Sequence, residues 1–286
     1  MAGRTEEPGS HRAPPSSSQP PARRRSEGFR QACESLWRVA YPEQCVLCGE
    51  LLDLDTRHFC APCREGLPWI GEHACPRCGS QVAPHAATAK GCAACRGRPF
   101  AFERAVAPFR YEGVVRDLIL EFKLGKRSSL ACVLGGLLCD MLAEGGLTQV
   151  VDVVVPVPLH WRRRVQRGFN QARLLALEVG ARFGLPVAQG LLRRGRATQS
   201  QTGFSRLGRQ ANVRGAFAVR TAWVGQGRIR SLVARLLGAE DLLGRRALLI
   251  DDVMTTGSTV HECARTLREA GAAEVFVVTI ARAHGS

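Results

Sequence analysis

From about Phe102 onward the chain alternates two hydrophobic rhythms. Residues 105–111, Ala-Val-Ala-Pro-Phe-Arg-Tyr, form an apolar run that predicts a strand. Val114, Val115, Leu118, Ile119 and Phe122 recur at three- and four-residue spacing and mark one face of a short helix. Leu130, Val133, Leu134, Leu137, Leu138, Met141 and Leu142 mark a second. Residues 150–155 are a β-branched run broken only by Asp152, as expected of a strand buried on both faces of a parallel sheet. Residues 172–183 predict a helix that ends at Gly184. Short strands are candidates within 185–194 and 215–220. Ala247-Leu248-Leu249-Ile250 predicts a further strand, 259–270 a helix and 274–281 a last strand. Such alternation predicts an α/β fold whose mainly parallel sheet is flanked by helices. Residues 223–244 break the rhythm and read as a loop with some helix, inserted ahead of the strand at 247.

The region before residue 100 has no such rhythm and is organised by cysteine instead. Eight of the 12 cysteines fall in four C-x-x-C pairs: Cys45/Cys48, Cys60/Cys63, Cys75/Cys78 and Cys92/Cys95. The gaps between pairs are 11, 11 and 13 residues, which reads as an internal duplication. Each pair presents two thiolates to one tetrahedral ion, and two pairs complete a four-thiolate zinc site. The expectation is a double zinc ribbon over residues 36–100 holding two structural Zn²⁺. Sequential pairing of the knuckles is the simplest arrangement, and an interleaved cross-brace is the alternative. His58, His73 and His85 are nearby but are not needed as ligands. Of the remaining cysteines, Cys132, Cys139 and Cys263 lie in apolar helical patterns and are expected in the core, whereas Cys33 stands alone.

Composition adds a charge argument. The 286 residues carry a formal net charge of +15. Between Trp161 and Arg246 there are 18 arginines against only Glu178, Glu240 and Asp241, so this stretch holds the equivalent of the whole excess. Such a block favours polyanions, either pyrophosphate or nucleic acid, single-stranded DNA included. A compositional origin stays open, because the chain has 37 Arg and only three Lys. Aromatic residues do not interleave with the arginines, so the block does not read as a base-stacking platform. No apolar run approaches the roughly 18 residues of a membrane span. Residues 1–28 are rich in Pro, Ser and Arg and read as a disordered tail. No apolar region follows Arg23-Arg24-Arg25 to make a signal of it, and the expected location is cytoplasmic.

Candidate chemistry concentrates in residues 247–259, Ala-Leu-Leu-Ile-Asp-Asp-Val-Met-Thr-Thr-Gly-Ser-Thr. A strand leads to Asp251 and Asp252, then to a hydroxyl-rich turn, Thr255-Thr256-Gly257-Ser258-Thr259, and then to a helix. Backbone N–H groups, the helix dipole and hydroxyls converge there on one phosphate. Adjacent carboxylates can accept hydrogen bonds from a ribose diol, so the implied ligand is a ribose 5-phosphate. Other candidates are Val155-Pro156-Val157-Pro158-Leu159-His160, at the C-terminal end of a strand where ligands of open α/β sheets gather, and the basic cluster Arg162-Arg163-Arg164 with Arg167-Gly168-Phe169-Asn170-Gln171. The polar, basic stretch 196–212 reads as a mobile lid or a plain surface loop. Residues 122–129 are not an ATP P-loop, because Leu120 stands where the leading Gly belongs and Arg127 follows Lys126.

The stretch 251–259 resembles the phosphoribosyl pyrophosphate motif of type I phosphoribosyltransferases. With the cysteine ribbon, 122–125, Pro156 to His160, Arg167 to Gln171 and 198–212, the order of motifs over about 36–282 resembles the ComF family of competence-related proteins. The resemblance implies a type I phosphoribosyltransferase fold over 102–286 and a role in uptake or processing of transforming DNA. It implies that Thr255, Thr256, Gly257, Ser258 and Thr259 hold the 5-phosphate and that Asp251 and Asp252 position the ribose. Pro158, Leu159 and His160 would form the loop facing pyrophosphate, with Mg²⁺ bridging its oxygens to the ribose, and Arg164 or Arg167 would offset leaving-group charge. Asp251, Asp252 and Arg167 are thus the candidate catalytic residues of a pentosyltransferase. Purine-salvage relatives carry an aspartate where this chain has Thr255, so the pattern is closer to the orotate type. Two other classes stay open: a non-catalytic module that binds the ligand or single-stranded DNA, and a docking protein whose ribbons engage a DNA-translocating competence helicase.

Overall fold

The computed structural model describes residues 43–53, 57–124, 127–195, 213–219 and 242–283. The expected tail, the stretch 196–212 and nearly all of 223–244 lie outside them. The chain divides into two compact units that part between Glu65 and Gly66, inside the stretch that cysteine spacing groups together.

In the first unit, Gln44 bridges Leu51 in an antiparallel turn around Cys45 and Cys48. Gly49 closes it, at φ +77° and with its N–H donating to the Cys45 carbonyl at 2.9 Å. The partner pair sits at the start of helix α1 (Ala61–Glu65), and the Val46 N–H donates to the His58 carbonyl at 2.9 Å to join the two.

The second unit opens with the same device. Ala74 bridges Gln81, Gly79 sits at φ +67°, and its N–H donates to the Cys75 carbonyl at 3.0 Å. The duplication expected from the spacing is therefore present in backbone geometry. A small hairpin, β1 (Ala87–Thr88) and β2 (Gly91–Cys92), brings the second pair to the first. A Cβ on Gly91 would lie 2.4 Å from Cys95 Sγ, so only glycine fits there.

The main sheet is parallel throughout. Strands β3 (Arg104–Val106) and β4 (Phe109–Arg110) both pair with β9 (Glu274–Arg282); β9 pairs with β8 (Arg246–Met254), and β8 with β5 (Val153–Pro156). The single strand expected at 105–111 is split around Pro108, which has no N–H to give to a ladder. The run at 150–155 enters the sheet only at Val153. Asp152 instead takes three hydrogen bonds from Arg246, at 2.8–3.2 Å, and Val150 is exposed. The short segments foreseen near 190 and 217 pair antiparallel as β6 (Leu192–Arg194) and β7 (Phe217–Val219).

Helices α2 (Gly113–Lys123), α3 (Leu130–Gly145), α4 (Trp161–Arg167), α5 (Gln171–Phe183) and α6 (Ser258–Glu269) complete the described elements, with a 3₁₀ turn at Leu147–Gln149. Helix α2 buries Val115, Leu118, Ile119 and Phe122, as its period predicts. Helices α3 and α5 approach closely: a Cβ on Gly135 would meet Glu178 at 2.7 Å. Cys139 and Cys263 are in the core as expected, but Cys132 is exposed, because it falls on the side of α3 opposite the Leu134–Leu138 stripe. Residues 247–250 of β8 are wholly buried. Ala247 and Leu249 face a core built with Val260, Cys263, Ala264 and Leu267 of α6 and with Phe102 and the second cysteine cluster. No helix among the described residues is long and apolar enough to cross a membrane.

Candidate functional site

Two four-cysteine clusters form, Cys45/Cys48/Cys60/Cys63 and Cys75/Cys78/Cys92/Cys95, with the ligand atoms of each within 4.8 Å of one another. The pairing is sequential and not interleaved. With Zn–S of about 2.3 Å, a tetrahedron has S···S edges of about 3.8 Å. Cys48···Cys60 and Cys75···Cys95 are 3.6 Å apart, and Cys78···Cys92 and Cys92···Cys95 are 3.7 Å apart. An all-thiolate set leaves no open coordination position, so both sites are structural. Purified, desalted protein should carry about two zinc ions per chain; a count of one, with all thiols intact, would contradict the two-site geometry.

The second candidate site is a cleft at the C-terminal ends of the parallel strands, where crossover connections leave room for ligands. It is lined by Tyr111, Lys123, Val157, Pro158, Leu159, Arg163, Arg167, Arg194 and residues 251–260. Strand β8 runs through the acids to Met254, so Asp251 and Asp252 lie on the strand itself and not beyond it. The following turn is tight. Gly257 sits at φ +80°, where a Cβ would lie 2.7 Å from Met254 Cε and 3.3 Å from the Phe100 ring. It also opens the 12-residue helix α6, whose first turn holds no acid to compete with a bound anion. The hydroxyls of Thr256 and Ser258 lie 2.9 Å apart.

The electrostatics of the cleft are those of an anion site with two acids on its floor. Asp251 accepts the Asp252 N–H at 2.9 Å. Burial, and after it the neighbouring Asp252 charge, push the Asp251 carboxyl up to about 7. Asp252 makes an ion pair with Lys123, Nζ to Oδ1 3.0 Å, and that ammonium also lies 5.8 Å from the Tyr111 ring centroid. Burial lowers the guanidinium pKa values of Arg167 and Arg194, against the raising influence of the acids.

The motif Arg167 to Gln171 assembles the cleft as well as lining it. Asn170 Oδ1 caps α5 by accepting the Ala172 N–H at 3.2 Å, while its Nδ2 donates to the Val157 carbonyl at 3.0 Å. Gln171 is buried, and its Nε2 donates to the Phe122 and Lys123 carbonyls, both at 3.4 Å. Phe169 packs on Phe122, with centroids 5.7 Å apart. One five-residue segment thereby ties together the Pro158 loop, Lys123 and Arg167.

Of the residues singled out from sequence, Asp251, Asp252, Thr255, Thr256, Gly257, Ser258, Thr259, Pro158, Leu159 and Arg167 meet at the cleft. His160 is buried, with its carbonyl accepting the Arg164 N–H at 3.0 Å, and Arg164 is exposed; neither lines the cleft. Arg163 lines it in place of Arg164, one helical step of about 100° away. Lys123 and Arg194 were not singled out as cleft residues. Lys123 stands in the segment 122–125, which the family resemblance marks without giving it a place in the cleft, whereas Arg194 carries no local signal.

Residues 36–98 match the double zinc ribbon domain family, and residues 181–286 match the phosphoribosyl transferase domain family. The chain is 30% identical over 247 residues to DNA utilization protein YhgH of Escherichia coli K12, spanning 85% of this chain and 99% of that one. It is 26% identical to competence protein F of Haemophilus influenzae, over 84% of this chain and 97% of that one. It is 25% identical to competence protein ComFC of Streptococcus pneumoniae, over 84% and 100%.

Proposed function

Since the chain belongs to the family of competence protein F, ComFC and YhgH, with a double zinc ribbon and a phosphoribosyltransferase fold, we propose that its cleft binds phosphoribosyl pyrophosphate with Mg²⁺ in the service of DNA uptake or utilization. The observation that carries this reading is the convergence of one anion turn, two acids and four cationic side chains on a single cleft. The turn at 255–259 would hold the 5-phosphate through N–H groups and hydroxyls. Asp251 and Asp252 would accept hydrogen bonds from the ribose diol. Their carboxylate oxygens are hard donors that would suit Mg²⁺, whose charge would offset that of the pyrophosphate. Arg163, Arg167 and Arg194 would face the pyrophosphate, with guanidinium forks matched to its oxygens. Lys123 would leave Asp252 for a phosphate oxygen, freeing the acid for the ribose. The competence names of the relatives suggest the biological setting, and the excess of arginine in the sequence between Trp161 and Arg246 would favour single-stranded DNA as a partner. Calorimetric titration of zinc-loaded protein with phosphoribosyl pyrophosphate and Mg²⁺ tests the reading directly, and absence of heat at millimolar ligand refutes it.

The raised Asp251 carboxyl gives a pH signature. Its neutral form is favoured in the folded chain, so the stability this contributes is fully present below the ordinary value of 3.8 and is lost as pH rises through about 7. Ligand binding needs the carboxylate and has the opposite sign. Affinity should rise about tenfold between pH 6 and pH 8 beyond any change due to the ligand's own phosphates. The control is Asp251→Asn, whose profile should retain only the ligand's ionisation. Parallel profiles for the two proteins would show that Asp251 does not titrate in this window.

A further inference from the structure

The second cysteine cluster lies directly behind the anion turn. Arg282, at the end of β9, is buried at 5% exposure. Its Nε donates to the Cys78 carbonyl at 3.1 Å, and its Nη1 donates to the carbonyls of Met254 at 2.9 Å, Ala283 at 2.7 Å and Thr255. Arg98, three residues past Cys95, donates from Nη1 to the Thr256 carbonyl at 3.2 Å. The Ala101 N–H donates to His261 Nδ1 at 3.0 Å, which pins the first turn of α6 to the same ribbon. Phe100 fills the space behind Gly257.

Three successive carbonyls of the turn, those of Met254, Thr255 and Thr256, are thus held by two arginines on the ribbon side. A trans peptide is planar, with its carbonyl and the following N–H pointing in opposite directions. Anchoring these carbonyls from behind therefore turns the N–H groups of Thr255, Thr256 and Gly257 the other way, toward the cleft. The arrangement also has an electrostatic logic. A zinc ion held by four thiolates is a net anion, and Arg282 is the buried cation against it, so the metal-loaded cluster compensates the charge whose hydrogen bonds shape the turn.

We propose that the second zinc ribbon is the rear scaffold of the anion turn, with Arg282 as the positioning residue that links metal loading of Cys75/Cys78/Cys92/Cys95 to ligand binding in the cleft. The identity of the ligand rests on the reading above; the coupling between ribbon and turn does not. By reciprocity, whatever the metal adds to ligand affinity the ligand adds to metal retention.

The test uses the full chain and amide hydrogen exchange read on peptides covering 254–260, with the buried strand 247–250 as the internal gauge of global opening. In Arg282→Met, with two zinc ions still bound, exchange at 254–260 should accelerate about tenfold while 247–250 stays protected, since hydrogen bonds from a charged donor are worth roughly a factor of ten or more. Arg282→Lys, which keeps the charge but not the planar fork, should fall between. Affinity for phosphoribosyl pyrophosphate should drop by a similar factor. The ligand should slow release of the second ion to a chelator in a Cys45→Ser background, and it should not do so when Arg282→Met is added. If Arg282→Met fails to fold, Arg98→Met removes the Thr256 anchor alone and should loosen the turn selectively. Unchanged exchange at 254–260 in the folded variants would overturn the coupling. Accelerated exchange in a protein that binds no phosphoribosyl pyrophosphate would uphold the coupling and refute the ligand.

Discussion

Cys95→Ser should release one zinc ion and abolish the cooperative unfolding transition of residues 66–286, whereas Cys45→Ser should release the other ion and leave that transition in place. The two clusters have the same composition but different surroundings. Cys75, Cys78, Cys92 and Cys95 are buried at 1–4% exposure within the core that also holds Leu249, Val260 and Cys263. In the first cluster Cys48 is exposed, and the compact unit around it ends at Glu65. A structural zinc site of this kind contributes on the order of 10–16 kcal/mol of apparent binding energy. That is comparable to the whole net stability of a typical domain, about 5–15 kcal/mol. Losing the buried ion also strands thiols against an apolar core and leaves Arg282 without its counter-charge. Thermal melts with metal analysis on both variants decide the matter. Equal melting behaviour would show that the second ribbon is not part of the core that the sheet depends on.

Asp251→Asn and Asp252→Asn should each weaken binding of Mg²⁺-phosphoribosyl pyrophosphate roughly 10- to 100-fold, as expected for loss of a charge-assisted hydrogen bond of about 1.5–3 kcal/mol. The stability effects should separate the two. Asp251 carries a carboxyl that burial holds up near 7, so removing its charge should leave stability unchanged or raise it above that pH. Asp252 pairs with Lys123 at 3.0 Å, and its amide should loosen that lysine. A charge lost with no loss of stability is the mark of an acid kept for a ligand. Calorimetry and thermal melts at pH 8 supply both readouts. If all three proteins bind equally, the acids do not contact the ligand.

Much of this protein could be read along the chain because its signals are local. Knuckles need two cysteines three apart and a residue tolerant of positive φ, and Cys48-Gly49 and Cys78-Gly79 state both requirements within five residues. An anion turn needs a strand, small residues and a helix start, and 247–259 states these in order. Helix faces were legible in α2 because a period of 3.6 expresses burial directly. Other features depend on neighbours distant in sequence. Sequential and interleaved ribbons use the same spacing, and only folding chose between them. Arg163 and Arg164 are alike as residues, and helix phase alone puts Arg163 on the cleft. Cys132 resembled a core residue until α3 was docked. Lys123 meets Asp252 because α2 and β8 converge at one end of the sheet, and no local pattern announces a contact across so many residues. Arg282 is the extreme case: at the end of an apolar strand it reads as the residue where a strand meets water. Parallel pairing of β9 with β8 instead carries it beneath the anion turn, between Cys78 and Met254, where backbone carbonyls accept from the buried guanidinium.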